Sequence, residues 1–180
     1  MHAAAIRGNT GVITLLLKHG ARVDYLSSDD GRSPLMVAAE DPRLPDDQLG
    51  NHQTCATVRL LLAHGADLRA VNIYNKTARD FAVSLQTSME SHLNTAWGEA
   101  EEARAKFLKA ASVVALFDEI YAAGSWKRYA NEPRVQLLML RCLCAKGRAA
   151  PPPGMFANLL ALPTAVFWSV LKFWRTSRDA

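Results

Sequence analysis

Cysteine is scarce in this chain: three in 180 residues, an odd number, with no C-x-x-C pair. That excludes a disulfide scaffold and suits a reducing intracellular compartment. The N-terminus has no basic stretch followed by an apolar core, so no secretory signal is read there, and the Asn75-Lys76-Thr77 sequon has no route to glycosylation. Signatures of chemistry are missing too. There is no glycine-rich phosphate loop, no H-E-x-x-H and no G-x-S-x-G. His52-x-x-Cys55 offers two metal ligands without a second pair, and Cys142 and Cys144 sit two apart on a helix, about 200° around, where one ion cannot reach both. Nothing assembles a nucleophile, a base and an oxyanion donor, so the expectation is a protein that is no enzyme and needs no cofactor or metal.

Charge of one sign is also lacking until the chain is divided. The net charge is +4, but residues 1–80 are neutral, residues 81–125 carry −3 and residues 126–180 carry +7. So mild an excess, absent from the first half, gives no reason to expect nucleic acid as a partner. If the basic excess has a task, it lies in the tail, in docking an acidic partner or flanking a membrane. Breaks are expected near Gly124-Ser125 and at Pro151-Pro152-Pro153-Gly154.

What is present is a repeat. VITLLLKHGARVD from Val12 resembles VRLLLAHGADLRA from Val58, each an aliphatic run followed by His-Gly-Ala. Val12, Leu15 and Leu16, and then Val58, Leu61 and Leu62, follow helical spacing. Gly20 and Gly65 stand where a helix ends with positive φ. After each comes a turn and a new start, Asp30-Gly31-Arg32-Ser33-Pro34-Leu35 and Asn75-Lys76-Thr77-Ala78-Arg79-Asp80, with Ser33 and Thr77 as N-caps and Pro34 at the first helical position.

These motifs resemble the ankyrin repeat over residues 1–82, with Met1-His2-Ala3-Ala4-Ala5 in the middle of a first helix and Asn75 in the turn-glycine place. The resemblance implies an all-α solenoid of about 2.5 repeats, the first incomplete, capped by a C-terminal helical region. Met1 enters mid-repeat, which fits a truncated product or a fragment of a longer array. Ala39 to Gly65 spans 26 positions where Ala5 to Gly20 spans 15, so a loop is inserted at about 41–53. The organisation expected is therefore repeats over 1–95, a long capping helix over 96–124 and a basic helical region over 125–180. In the long helix, Phe107, Ala111, Val114, Phe117 and Tyr121 trace an apolar stripe.

The resemblance also implies binding of other proteins through finger-like turns, here Asp24–Arg32 and Arg69–Lys76. Tyr25, Asp29, Asp30 and Arg32 in the first finger and Arg69, Tyr74 and Lys76 in the second are the candidate contacts, since aromatic and arginine side chains often dominate interfaces. The plainer alternative has the tyrosines stacking between fingers and the charges solvating turns.

The last third admits several readings. Pro133 could open a helix through Lys146, ringed by Val135, Leu137, Leu138, Leu140 and Leu143. Trp126, Lys127, Arg128 and Tyr129 interleave aromatics with bases, as a helix anchor or a phosphate contact. Residues 155–171 are apolar but interrupted by Pro163, which favours a helix over 164–175 with Val166, Phe167, Val170, Leu171 and Trp174 on one face over a membrane span. Leu140-x-x-x-Cys144 followed by Leu162-Pro163-x-x-Val166 resembles a SOCS box, which implies a substrate-recognition adaptor of an elongin–cullin ubiquitin ligase. Arg148 stands where that family wants an aliphatic residue. The main expectation is a non-catalytic, intracellular, cytoplasmic scaffold or adaptor. A fragment of residues 1–82, with too few stacked units, is expected to show no cooperative thermal transition by circular dichroism.

Overall fold

Eight helices and no strand make up the described residues of the computed structural model, which are 1–40, 53–95, 100–148, 150, 159–160 and 162–173. They are α1 (His2–Ile6), α2 (Thr10–Lys18), α3 (Pro34–Glu40), α4 (Gln53–Ala63), α5 (Ala78–Thr95), α6 (Ala100–Ala123), α7 (Trp126–Ala145) and α8 (Thr164–Phe173). The chain divides into two units, one ending at Ala122 and the other starting at Ala123. The expected insertion at about 41–53 lies outside the described residues except for Gln53, which opens α4.

Local chemistry fixes the ends of the repeat helices. Asn9 caps α2 by accepting from the Val12 N–H at 3.0 Å, and Ser33 caps α3 by accepting from the Met36 N–H at 3.3 Å. Pro34 then takes the first helical position, where its missing N–H has no cost. At α5 the cap is reciprocal: the Asp80 N–H reaches the Thr77 hydroxyl at 3.3 Å, while the Asp80 carboxylate accepts from the Thr77 N–H at 2.8 Å. The C-termini of α2 and α4 close identically. Gly20 and Gly65 sit at φ +80° and +91°; their N–H groups bond Leu17 and Leu62 oxygens, and the next N–H groups bond Leu16 and Leu61.

Helices α1, α3 and α5 form one row in the first unit, each packed on the next, with α2 and α4 in a second row. Helix α6 joins the second row beside α4: the Cys55 and Ser112 side chains meet at 3.5 Å, Arg79 of α5 pairs with Asp118 at 2.7 Å, and the Tyr121 hydroxyl donates to the Leu68 carbonyl at 3.1 Å. Thus α5 and α6 make a third helical pair, lacking the Leu-Leu-x-x-Gly-Ala ending.

Two apolar stripes differ from the expected ones. In α6 the buried positions are Ala110, Val113, Leu116, Phe117 and Ile120, while Phe107, Ala111, Val114 and Tyr121 are half-buried. Only Phe117 is common to the buried sets. The flanking contacts through Ser112 and Asp118 set the rotation of the helix, and residue size did not reveal it. In α2, Ile13 is fully buried, whereas Val12 and Leu15 are exposed. Counting back from the two glycines pairs Ile13 with Val58, one residue away from the alignment on Val12. Val58 and Leu61 are fully buried because α4 has helices on both sides in its row.

The second unit starts with α7, seven residues earlier than the Pro133 signal. The Ser125 hydroxyl accepts from the Arg128 N–H at 3.3 Å, and Tyr129 is buried with its ring 5.6 Å from that of Trp126. Pro133 therefore lies inside the helix, where it forgoes one N–H bond to the carbonyl four residues back. Nor is α7 packed all round: Leu137 is buried, but Val135, Met139 and Leu143 form an exposed row. Leu137, Leu160, Phe167 and Leu171 make the core of this unit, with Val166 and Val170 left outside. Trp174 lies outside the described residues. Arg141 ties α7 to α8, its guanidinium 3.9 Å from the Phe167 ring centroid and donating to the Leu162 carbonyl at 2.8 Å.

Phe117→Ala should cost about 3–5 kcal/mol of unfolding free energy, measured by denaturant titration, because a fully buried ring is removed. The Asp80 pKa is lowered by the hydrogen bonds from Thr77. Its stabilisation is therefore complete above the unfolded-state value of about 3.9 and is lost as pH falls through the native pKa. Asp80→Asn should lower the melting temperature at neutral pH and converge with the parent protein in acid.

Candidate protein-interaction site

The fingers are held rigid by their own backbone. In the first, the Ser27 N–H donates to the Arg32 carbonyl at 2.9 Å and Gly31 turns at φ +67°. In the second, the Asn72 N–H donates to the Lys76 carbonyl at 3.1 Å, and the Asn72 side-chain oxygen accepts from the N–H groups of Tyr74 and Lys76. Asn75 supplies the positive φ of +58° that glycine supplies in the first finger. The two fingers touch through an Ile73 N–H to Asp30 carbonyl bond of 3.3 Å. The positive φ favours glycine at position 31, and a Cβ there would stand a tight 3.2 Å from the Ile73 methyl.

The candidate contacts separate into two groups. Tyr25, Asp29, Arg69, Tyr74 and Lys76 are exposed on the fingers, Tyr25 at 60% and Tyr74 at 67%. Asp30 and Arg32 are not free tips. The half-buried Arg32 guanidinium pairs with Asp30 and with Glu40 of α3, and lies 4.7 Å from the Phe81 ring centroid of α5. Its carbonyl accepts from Ser27 and contacts the His2 ring nitrogen at 2.9 Å. Arg32 is thus engaged within the repeats as well as standing on the finger: interface arginines and internal struts look alike in sequence. The tyrosines do not stack on one another; Tyr25 meets His2 edge-on at 6.3 Å.

Three exposed side chains were not among the candidates: Leu26 at 47%, Val71 at 46% and Ile73 at 65%. Together with Tyr25 and Tyr74 they give the fingers a run of large apolar groups in water. Their signal in the sequence is that aliphatic residues in a polar turn have no core to reach, a weaker mark of an interface than aromatic or charged side chains.

Behind the fingers lies an open cleft of about 630 Å³, bounded by α1, α3 and α5. Its floor comes from one face of α5, where Phe81, Leu85 and Met89 recur every four residues beside Ser84 and Ser88. Its rim carries Asp29, Asp30, Arg32 and Glu40.

The residues that resemble a SOCS box divide between the second unit's core and its surface. Leu140, Cys144 and Leu162 pack against the unit's own apolar core, while Pro163 and Val166 are exposed. No group of three potential metal ligands occurs among the described residues, and no described helix is long and apolar enough to cross a membrane.

Comparison with known proteins agrees with this architecture. Residues 1–40 match the family model for ankyrin repeats in many copies, and residues 30–73 match the ankyrin repeat model. A human BCL-6 corepressor-like protein 1 is 32% identical over 103 residues, 56% of this chain and 5% of that protein. A Caenorhabditis elegans homologue of transient receptor potential cation channel subfamily A member 1 is 36% identical over 83 residues, 46% of this chain and 6% of its own length. This chain thus spans only a small part of either relative. No solved structure matches it significantly. Residues 1–73 thus match ankyrin repeats, a protein-binding module, and the described residues are all-α, consistent with that repeat fold.

Proposed function

We propose that this chain is a non-catalytic scaffold or adaptor that binds another protein across its two finger tips. One observation carries the reading: Tyr25, Leu26, Val71, Ile73 and Tyr74 are all large, apolar and exposed on adjoining turns. Scattered apolar side chains are ordinary on a surface, but a contiguous group on a rigid scaffold marks an interaction site. Arg69 and Lys76 of the second finger add cationic contacts beside it, and an exposed Asp29 in the first adds an anionic one.

The three free thiols, Cys55, Cys142 and Cys144, support an intracellular setting. The ubiquitin-ligase alternative draws no support from the second unit. Leu140 and Cys144 are half-buried against their own unit's apolar core, which leaves them only partly available to an elongin.

Affinity purification of the full chain, with quantitative mass spectrometry, tests the reading. The double variant Arg69→Ala, Tyr74→Ala removes only exposed side chains and should fold normally. Recovery of the principal partner should fall at least about tenfold, since aromatic and arginine anchors carry roughly 1–4 kcal/mol each. Undiminished recovery by a folded variant would reject the finger tips. Elongins are expected to be absent from the recovered set.

A further inference from the structure

We infer that the cleft behind the fingers takes an extended peptide segment in which a lysine or arginine stands beside bulky apolar residues. The inference rests on the protein-binding reading and names the chemistry of the segment bound.

Charge decides the first half of the recognition. Asp29, Asp30 and Glu40 line the cleft against the single guanidinium of Arg32, so its carboxylates outnumber its guanidinium by two. Arg32 offers an acidic or phosphorylated ligand no net positive charge, because its guanidinium is already paired with two carboxylates and lies over the Phe81 ring. A cation meets no such obstacle. Asp29 is exposed and accepts a hydroxyl hydrogen bond from Ser28 on one carboxylate oxygen, which leaves lone pairs on the carboxylate to offer.

Shape and polarity decide the second half. Phe81, Leu85 and Met89 line the floor at a spacing that keeps them on one helix face, and Leu85 and Met89 are only half-buried. A volume of about 630 Å³ lies within the range of ordinary ligand pockets, room for a few side chains and not for a folded domain. The cleft is open and takes its lining from α1, α3, α5 and the first finger, so a peptide segment can enter it beneath that finger.

Fluorescence anisotropy with the full chain and three labelled Gly/Ser nonapeptides tests this. Their central residues are Leu-Arg-Phe, Leu-Glu-Phe and Ser-Arg-Ser. The first should bind saturably and more weakly at higher salt; the other two should bind at least about tenfold more weakly. Asp29→Lys, at an exposed position, should weaken the first peptide about fivefold, and Leu85→Gln about tenfold, with melting curves establishing that both variants fold. Equal binding of the Arg and Glu peptides, or no saturable binding of any, would overturn the inference. So would peptide binding insensitive to both cleft variants, or displacement of the peptide by self-association, which would assign the cleft to a second copy of the chain. If Arg69→Ala, Tyr74→Ala still reduces partner recovery while the peptides fail, the finger-tip reading survives and the cleft is rejected; the reverse pattern rejects the finger tips alone.

Discussion

Arg32 is the residue on which the first unit turns. It belongs to the first finger, pairs with Asp30 beside it and Glu40 at the end of α3, stacks over Phe81 of α5, and offers its carbonyl to Ser27 and His2. Its side chain therefore bridges the finger to α3 and α5, and its backbone carbonyl adds the contact with α1. The guanidinium suits this place because it is planar, always charged, and able to lie on an aromatic face while its edge meets carboxylates. A lysine could satisfy one of those demands at a time. The cost of desolvating the charge is kept small by leaving the group half-exposed, so the strut fixes geometry more than it adds stability.

The rest of the array depends on how each repeat closes. Two helices ending in the same glycine-centred pair of hydrogen bonds deliver the chain to the turn at the same angle, and a cap of Ser33 or Thr77 then restarts it. The third pair breaks the pattern. Helices α5 and α6 run 18 and 24 residues, far longer than α3, and α6 is anchored by Asp118 and Tyr121. The last pair thus covers its neighbour without the sequence ending that marks the earlier ones.

Much of this was legible beforehand, for identifiable reasons. Caps, positive-φ glycines and Asn75 are dictated by backbone sterics, which are local and therefore written in one or two residues. Rotation of a helix about its axis is not local. In α6 the choice between Phe107–Val114 and Ala110–Val113 was settled by Arg79 and Cys55, residues far away in sequence. The start of α7 was misread because a proline signal outweighed a serine cap that precedes two packed aromatic rings. At the binding surface, the tyrosines and basic tips were identifiable by type. The internal role of Arg32 was not, because its partners Glu40 and Phe81 lie eight and 49 positions along the chain.

The close seating of Gly31 against Ile73 has one more consequence. Because the Asp30 carbonyl and the Ile73 N–H are already bonded, the two fingers resist splaying like the teeth of one comb. A ligand laid across them meets turns whose backbone is already ordered, so that part of the ordering cost of association is met in advance. The same stiffness limits adaptation. A partner whose contacts need another tooth spacing must deform itself, and selectivity would then reside in the distance between two turns as much as in the side chains they display.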